Sequence, residues 1–255
     1  MSFKNPTLNL SESFYSIQGE GATAGVPAYF LRLQNCNLIC GGPDGRLMKD
    51  GKASWYCDTE KVWRKGVETS YDKILNDMHE VGQLERIVDG LTHIVWTGGE
   101  PALPNNQTDM MRFMQKLNSQ YEKNNAYQEI ETNGTLRLNR YVWGELDQIN
   151  CSPKLSNSGM TESSRINRDA INQIKGHKNP WFKFVVSSED DIREVEDSYI
   201  LPSYIPSKQV ILMPGLDRQE DVAERTKFVM EMSKKYGYRC SSRLHVLAWD
   251  KTTGV

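Results

Sequence analysis

Long hydrophobic runs are missing from this 255-residue sequence. No apolar stretch approaches the ~20 residues that a membrane-spanning helix needs. The first residues, MSFKNPTLNLSE, lack the basic region and the following apolar run of a secretory signal. We therefore expect a protein that is not exported and has no membrane partner.

A strong excess of either charge is also missing. The 31 Lys and Arg residues and the 33 Asp and Glu residues give a formal net charge of −2. Because nucleic-acid-binding surfaces are usually basic, this balance predicts no nucleic-acid partner. Cysteine is scarce as well, and five thiols in a chain without an export signal indicate the reducing cytoplasm.

Repeats and low-complexity segments are absent, which argues against a solenoid. Short β-rich runs alternate instead with helical patterns, and this alternation is typical of α/β proteins with a mostly parallel sheet. The predicted strands cover residues 28–34, 92–97, 127–132, 148–151, 182–187, 209–213 and 244–248. The length suits a single domain over residues 1–255, whose ligands would bind at the carboxyl ends of the strands.

Three cysteines, Cys36, Cys40 and Cys57, follow the first predicted strand. The glycine-bearing residues 41–56 between the last two predict an irregular loop or a small inserted hairpin. Three thiolates are one too few for a closed tetrahedral zinc site, and an odd number does not pair into disulfides. On a four-iron cluster, three thiolates leave one iron open to another ligand. The pattern alone is compatible with an iron–sulfur cluster, with zinc and with plain thiols.

Two glycine-bearing segments lie next to the predicted strands. Gly98 and Gly99 follow the second strand, where paired glycines either let the backbone approach a ligand or form a tight turn. Residues 16–21, with the sequence SIQGEG, precede the first strand. Their Gln18 and Glu20 can bind the donor and acceptor edges of a heterocycle, although a polar turn explains them equally well.

Charged and hydroxyl side chains provide further candidates. Arg32 lies in an apolar strand, so it belongs either to a buried ion pair, which the sequence alone favours, or to a substrate carboxylate site. Asp58 and Thr59 place hard oxygen atoms beside the third cysteine, which suits magnesium, although this pair more commonly caps a turn. Cys151 and Cys240 are predicted to be core residues, since free cysteine is usually buried.

Together these segments resemble the radical S-adenosylmethionine enzymes and, among them, the 7-carboxy-7-deazaguanine synthases of queuosine and 7-deazapurine biosynthesis. The segments that carry the resemblance occur in the family's order and span nearly the whole chain. They are Ser16-Ile17-Gln18-Gly19-Glu20-Gly21, Phe30-Leu31-Arg32-Leu33 with the two cysteines that follow, Cys57-Asp58-Thr59, Thr97-Gly98-Gly99-Glu100-Pro101, Glu131-Thr132-Asn133-Gly134, Ser152-Pro153-Lys154 and Arg243-Leu244-His245. One departure is that residues 41–56 separate two cysteines that the usual radical-enzyme signature places close together.

The resemblance implies a fold, a set of cofactors and a reaction. The fold is an incomplete α/β barrel, and the cofactors are a four-iron four-sulfur (4Fe–4S) cluster, S-adenosylmethionine and magnesium (Mg2+). An electron from the cluster cleaves S-adenosylmethionine to a 5′-deoxyadenosyl radical, which takes a hydrogen from the pterin substrate, 6-carboxy-5,6,7,8-tetrahydropterin. Ring contraction and loss of ammonia then give 7-carboxy-7-deazaguanine. The family is usually a homodimer, and its electron comes from a donor such as flavodoxin.

The resemblance also implies roles for individual residues. The implied cluster ligands are Cys36, Cys40 and Cys57, and the implied magnesium ligand is Thr59. The residues implied to bind S-adenosylmethionine are Gly99, Ser152, Pro153 and Lys154, with Glu131 and Asn133 as further candidates. The residues implied to bind the pterin are Ile17, Gln18, Gly19, Glu20, Arg32, Thr97, His245 and the terminal carboxylate of Val255.

Two other functions are compatible with the sequence. A radical activase that acts on a partner protein shares the cluster but has no use for Gln18 and Glu20. A zinc-stabilised, non-catalytic binding module needs only the cysteines. An iron–sulfur protein is brown after anaerobic purification, whereas a zinc protein is colourless, so colour distinguishes the module from the two enzymes.

Overall fold

The computed structural model describes residues 6–121, 124–215, 219–250 and 252–255. Over these ranges nine strands form one sheet in the order β3-β1-β2-β4-β5-β6-β7-β8-β9. The strands are β1 (Thr7–Ile17), β2 (Pro27–Leu33), β3 (Val67–Ser70), β4 (His93–Gly98), β5 (Gln128–Thr132), β6 (Gln148–Cys151), β7 (Pro180–Val186), β8 (Val210–Pro214) and β9 (Arg239–Cys240).

Helices follow most of the strands along the chain. They are α1 (Arg46–Lys49), α2 (Glu60–Trp63), α3 (Tyr71–Glu80), α4 (Leu84–Val88), α5 (Pro104–Gln120), α6 (Arg140–Glu145), α7 (Glu162–Arg165), α8 (Arg168–Lys175), α9 (Glu189–Val195), α10 (Val222–Tyr236) and α11 (Leu244–Trp249). None of the helices in the described ranges is long and apolar enough to cross a membrane.

The sheet is open and mostly parallel. β1 pairs antiparallel with β2 and with β3, whereas every pair from β2–β4 to β8–β9 is parallel. Within the described residues no hydrogen-bonded pairing joins β9 back to β3. The incomplete α/β barrel with a mostly parallel sheet is therefore confirmed, and the carboxyl ends of its parallel strands lie at one edge.

The two faces of the sheet differ in polarity because successive side chains of a strand point to opposite faces. On one face Leu31, Ile130 and Phe184 belong to the main core, which also contains the buried residues of the helices. The alternate positions of β5 and β7 carry charged side chains such as Glu131 and Lys183. The second face of the sheet is therefore polar at β5 and β7, and it carries a small apolar cluster of Ala28, Phe30 and Val95 at β2 and β4.

Two predictions about the carboxyl-terminal region are wrong. Residues 244–248 form helix α11, not a strand, because a short apolar run does not by itself distinguish the two. Only Val246 of this helix is buried, and the last strand of the sheet, β9, ends before it. Cys240 lies in the two-residue β9 at the open edge of the sheet and is exposed, whereas Cys151 is a core residue as predicted.

β1 is the longest strand and is absent from the predicted set. Its sequence, TLNLSESFYSI, does not alternate cleanly between apolar and polar residues, because a bulge between Leu10 and Glu12 shifts the register against β2. The strand ends at Ile17, so Ser16 and Ile17 belong to it rather than to a turn.

Candidate active site

A cavity of about 350 Å³ lies at the carboxyl ends of the parallel strands. Its walls come from these strand ends, from the cysteine-bearing loop and from the end of the chain. With one exception, every residue implied above lines it: Ile17, Gln18, Gly19, Glu20, Arg32, Cys36, Cys40, Cys57, Thr59, Thr97, Gly99, Glu131, Asn133, Ser152, Lys154, His245 and Val255. The exception is Pro153, which is buried behind the wall between two lining residues.

Residues 41–56 leave the cysteine group and return to it. The backbone N–H of Cys57 donates to the carbonyl of Cys40 over 3.0 Å, which closes the stretch into a loop. The loop contains turns and the short helix α1 but no strand, so the hairpin alternative is wrong. The hydrogen bond keeps the third cysteine beside the second despite the long insertion.

The three thiols line the same cavity, and N–H groups approach two of their sulfur atoms. The backbone N–H of Leu38 lies 3.5 Å from Cys36 Sγ, and the indole N–H of Trp63 lies 3.3 Å from Cys57 Sγ. Hydrogen bonds to sulfur tune the potential of an iron–sulfur cluster. Among the described residues, no three His, Cys, Asp or Glu side chains converge on a point that could hold one metal ion. A four-iron cluster binds each thiolate through a different iron and needs no such point, so the thiol set fits a cluster.

Burial favours the protonated form of two of the three thiols. Burial raises the pKa of Cys36 to about 12, and it raises the pKa of Cys40 to about 11 although the charge of Lys154 opposes the rise. Ligand thiols must be deprotonated, so binding of a cluster displaces these protons.

Gly98 and Gly99 bring the end of β4 against the chain that precedes the first cysteine. Gly98 has a φ of +133°, and a Cβ atom at Gly99 would lie 1.9 Å from the carbonyl oxygen of Asn35. The next residue, Glu100, donates its N–H to that same carbonyl over 2.8 Å. Glycine is therefore required at position 98 by its positive φ and by close contact with the Leu33 backbone of β2, and at position 99 by close contact with the Asn35 backbone beside the first cysteine.

The Glu100 carboxyl group connects this loop to the end of β5. It is fully buried and accepts hydrogen bonds from Thr132 Oγ1 at 2.7 Å and from the Asn133 N–H at 2.7 Å. Burial raises the pKa of Glu100 despite these hydrogen bonds. Asn133 in turn donates from Nδ2 to Asn37 Oδ1 over 2.9 Å, next to Cys36. The contact explains how Asn133 reaches the cavity wall beside the cysteines.

Glu20 is held by two cations. Its carboxylate lies 2.5 Å from Lys183 Nζ and 2.8 Å from Arg243 Nε. Burial alone would raise the pKa of Glu20, but Lys183 and Arg243 hold it well below its usual range. Glu20 is therefore ionised at neutral pH and can only accept hydrogen bonds.

Arg243 also reaches the cysteine loop, where its guanidinium donates to Asp58. Asp58 is exposed, and the charge of Arg243 lowers the pKa of its carboxyl group. The neighbouring Thr59 does not use its hydroxyl to cap helix α2, and Thr59 Oγ1 lies 3.6 Å from Cys57 Sγ. The turn-cap alternative is therefore wrong for Thr59, whose hydroxyl instead forms a hydrogen bond with the Cys57 thiol, whereas Asp58 is engaged in an ion pair.

The Glu131 carboxylate connects side chains from β4, from β7 and from the segment after β1. Its carboxylate accepts hydrogen bonds from Thr97 Oγ1 at 2.7 Å and from Gln18 Nε2 at 3.3 Å, and it lies 3.9 Å from Lys183 Nζ. Glu131 thus contacts residues that the resemblance assigns to the pterin, although the resemblance assigns Glu131 itself to S-adenosylmethionine.

Arg32 combines both of the predicted alternatives. Its Nε lies 3.0 Å from Glu12 Oε2 in a largely buried ion pair across β1 and β2. The same side chain lines the cavity. The ion pair that the sequence favours is therefore present, and the residue is also placed where a ligand can reach it.

The carboxyl-terminal segment returns to the cavity. The backbone carbonyl of Gly19 accepts the N–H of Leu244 over 3.0 Å, which docks the start of α11 on the segment after β1. The last two residues, Gly254 and Val255, line the cavity, and a Cβ atom at Gly254 would lie 3.8 Å from Glu12 Oε1. The end of the chain therefore lies beside the Arg32–Glu12 pair.

Sequence reasoning misses Lys183 and Arg243 as cavity residues and Glu12 as the partner of Arg32. Lys183 carries a signal that could have found it, because it interrupts the apolar strand PWFKFVV as Arg32 interrupts β2. The partners of Arg243 lie in segments near the other end of the chain, so no local pattern reveals them. The pairing of Glu12 with Arg32 follows from the register of β1 against β2, and β1 is not among the predicted strands.

Comparison with known proteins gives a consistent set of relatives. No family model matches the chain. A 7-carboxy-7-deazaguanine synthase from Pyrobaculum aerophilum is 32% identical and aligns over 98% of this chain and 98% of its own. A 7-carboxy-7-deazaguanine synthase from Halobacterium salinarum is 27% identical over 96% of this chain and 91% of its own.

Solved structures with the same fold include QueE from Escherichia coli, with a TM-score of 0.61 and 22% identity over 92% of this chain and 93% of that chain. The structure described as anSMEcpe with bound AdoMet has a TM-score of 0.51 and 18% identity, over 86% of this chain and 63% of its own. At these identities the two structures support the fold alone.

Proposed function

Because this chain belongs to the 7-carboxy-7-deazaguanine synthase family of radical S-adenosylmethionine enzymes, we propose that the cavity at the carboxyl ends of its strands is the active site. The family reaction converts 6-carboxy-5,6,7,8-tetrahydropterin to 7-carboxy-7-deazaguanine with loss of ammonia. The observation that carries the assignment is that three thiols and an ionised, doubly paired Glu20 line one cavity.

Cys36, Cys40 and Cys57 would hold a four-iron four-sulfur cluster. The bound cluster supplies the electron for cleavage of S-adenosylmethionine. The protein's part is to keep Cys57 beside Cys40 through their backbone hydrogen bond and to direct the N–H groups of Leu38 and Trp63 at the sulfur atoms.

S-adenosylmethionine would bind between the cysteine loop and the ends of β4 and β6. Gly99 offers its backbone, and Ser152 and Lys154 offer a hydroxyl and an ammonium that are 3.0 Å apart. Pro153 is buried, so it would act by fixing the backbone between those two side chains. Asn133 completes this wall, next to the cysteines.

The pterin would bind against the ionised side of the cavity. Glu20 can accept hydrogen bonds from the amino and imino groups of the ring because Lys183 and Arg243 keep it charged. Gln18, Thr97 and Glu131 form a connected set of donors and acceptors next to it. Gly19 and His245 close the site from one side, and Ile17 lines its rim.

We expect Arg32→Lys to raise the KM for the pterin by roughly 10- to 100-fold while the protein stays folded. Lysine keeps the charge but not the planar fork that binds a carboxylate, and a charge-assisted hydrogen bond contributes about 1.5–3 kcal/mol. The matched control is Arg64→Lys, which alters an Arg–Glu pair outside the cavity. Anaerobic steady-state kinetics measure the effect. An unchanged KM would restrict Arg32 to its ion pair with Glu12.

Thr59→Val is expected to abolish activation by magnesium. The substitution keeps the shape of the side chain but removes the hydroxyl, which lies near the thiols and could share a hard cation with the substrate carboxylate. Activity is titrated against magnesium in the variant and in Thr69→Val, whose hydroxyl lies in the edge strand β3. If Thr59→Val responds to magnesium as the wild type does, the cation binds elsewhere.

A carboxyl-terminal tag is expected to depress turnover, because the carboxylate of Val255 is proposed to accept hydrogen bonds from the pterin ring. Chain ends usually tolerate extension, but this end lines the cavity. The comparison is between amino-terminal and carboxyl-terminal tags of the same sequence, by anaerobic kinetics and by iron content. Equal rates and equal KM values would make the tail an ordinary solvated end.

Family membership also supports three proposals about the setting of the enzyme. It would be a homodimer, it would receive its electron from a donor such as flavodoxin, and it would work in the cytoplasm. Size-exclusion chromatography with light scattering tests the first of these, and turnover with purified flavodoxin and its reductase tests the second.

The proposed site is tested by anaerobic reconstitution of the wild-type protein. We expect about four irons and four sulfides per chain, a broad absorption band in the blue and, without the pterin, 5′-deoxyadenosine formation that depends on added reductant. Colourless protein with stoichiometric zinc would contradict the proposal.

A further inference from the structure

The ring of Trp55 faces the ammonium group of Lys154. Trp55 lies at the end of the loop formed by residues 41–56, and Lys154 Nζ is 5.5 Å from its ring centroid. At that distance the electron-rich face of an indole ring attracts a cation. Lys154 Nζ also donates to Ser152 Oγ over 3.0 Å. The ring and the hydroxyl therefore fix a flexible cationic side chain, and both Trp55 and Lys154 line the cavity.

The indole ring is itself held in place. Its N–H donates to Asn157 Oδ1 over 2.8 Å, and Asn157 Nδ2 donates to the carbonyl of Val185 in β7 over 2.9 Å. The preceding residue, Ser54, donates its backbone N–H to the Asn157 carbonyl over 2.8 Å. The ring plane is thus set by hydrogen bonds to a neighbouring strand and loop, not by the cysteine loop alone.

The start of the loop, at Gly41, is attached to the segment that contains Asn157. The backbone N–H of Gly41 donates to the carbonyl of Ser158 over 2.8 Å. Residues 41–56 are therefore docked at both ends on residues 157–158, which closely follow the Ser152-Pro153-Lys154 segment. A loop that only connected Cys40 to Cys57 would not need these contacts.

A fixed Lys154 side chain should bind a ligand more tightly than a mobile one. A lysine side chain loses much rotamer freedom when it is immobilised, so holding it in position before the ligand arrives raises affinity. Its charge is close enough to Cys40 to oppose the effect of burial on that thiol. The held ammonium therefore lies in the same cavity as the cysteine group, just after the end of β6.

We infer that Trp55 is a positioning residue for S-adenosylmethionine, which acts by holding the Lys154 ammonium against the cavity wall with its ring face. The inference rests on the proposed role of Lys154 in binding that cosubstrate. It gives the long loop a function, since residues 41–56 supply the ring as well as the connection between two cluster ligands.

The test measures the Kd of S-adenosylmethionine by anaerobic equilibrium dialysis of reconstituted protein, without pterin, together with iron content. Trp55→Leu removes the ring face and should weaken binding roughly five- to tenfold. Trp55→Phe keeps an aromatic face but loses the N–H that holds it, so it should weaken binding less than Trp55→Leu does. The matched control is Tyr141→Leu, which removes an exposed ring that lies 4.6 Å from Arg140 outside the cavity.

A double-mutant cycle separates this inference from the proposed function. If Trp55 acts through Lys154, Trp55→Leu should cause no further loss of affinity in the Lys154→Met background. An impaired Lys154→Met with an unchanged Trp55→Leu would overturn the inference and leave the proposed site standing. An unchanged Lys154→Met would overturn the role of Lys154 itself. Reduced iron content in Trp55→Leu would make the ring part of the packing of the cysteine loop, which also contradicts the inference.

Discussion

Cys57→Ala protein, reconstituted anaerobically, is expected to retain no intact four-iron cluster and to show no measurable turnover. Three thiolates are the minimum set that holds such a cluster with one open iron, so the loss of any one removes the site at which S-adenosylmethionine binds. The same result is expected for Cys36→Ala and Cys40→Ala. Iron and sulfide content, the visible spectrum and activity measure the effect.

Cys240→Ala is the matched control, because Cys240 is exposed in β9 and does not line the cavity. It should bind iron and turn over as the wild type does. Cys151→Ala should also keep its iron, although Cys151 is a core residue and its removal costs some stability. Full iron loading and activity in Cys57→Ala would contradict the assignment and show that the long loop does not carry the third ligand.

Glu20→Gln is expected to lower the free energy of unfolding by about 3–5 kcal/mol and to abolish detectable turnover. The amide keeps the shape of the side chain but leaves the buried Lys183 and Arg243 without the carboxylate that binds both. Removing one partner of a buried ion pair has a cost of this size because the remaining charge is desolvated. Urea unfolding of the reconstituted protein measures it.

Glu189→Gln provides the control for Glu20→Gln, since Glu189 pairs with Lys235 at the surface and such pairs contribute about 0–1 kcal/mol.

The contribution of Glu20 to the free energy of unfolding also depends on pH. Because its folded pKa lies below the ordinary value of 4.5, its contribution is present above that value and is lost as the pH falls further. The stability difference between wild type and Glu20→Gln should therefore shrink below pH 4.5. A difference that stayed constant in acid would contradict the ion-pair account.

The parts of the site that sequence reasoning found are those in which neighbouring residues act together. Cys36 and Cys40 share one loop, and Gly98 and Gly99 follow one strand, so each group has a local pattern. The order of these groups along the chain then indicates the family. The parallel sheet is predictable for a similar reason, because strands such as β8 are short apolar runs with clear ends.

The parts that were missed depend on contacts between distant segments. Arg243 binds Glu20 and Asp58, which lie in two other loops, and nothing in the local sequence of any of the three predicts the pairing. The Arg32–Glu12 pair required the register of β1, which a bulge conceals. The strand prediction for the residues of α11 is wrong because their apolar run is short, and the hydrogen bond from Leu244 to Gly19 joins two segments that are distant in the sequence.

Product analysis of a single anaerobic reaction tests the central claim most directly. Reconstituted wild-type protein is incubated with 6-carboxy-5,6,7,8-tetrahydropterin, S-adenosylmethionine, magnesium and a reductant, and the mixture is analysed by liquid chromatography and mass spectrometry. We expect 7-carboxy-7-deazaguanine to accumulate with release of ammonia, while S-adenosylmethionine is regenerated rather than consumed. Protein with a full complement of iron that cleaves S-adenosylmethionine but yields no 7-carboxy-7-deazaguanine would contradict the account.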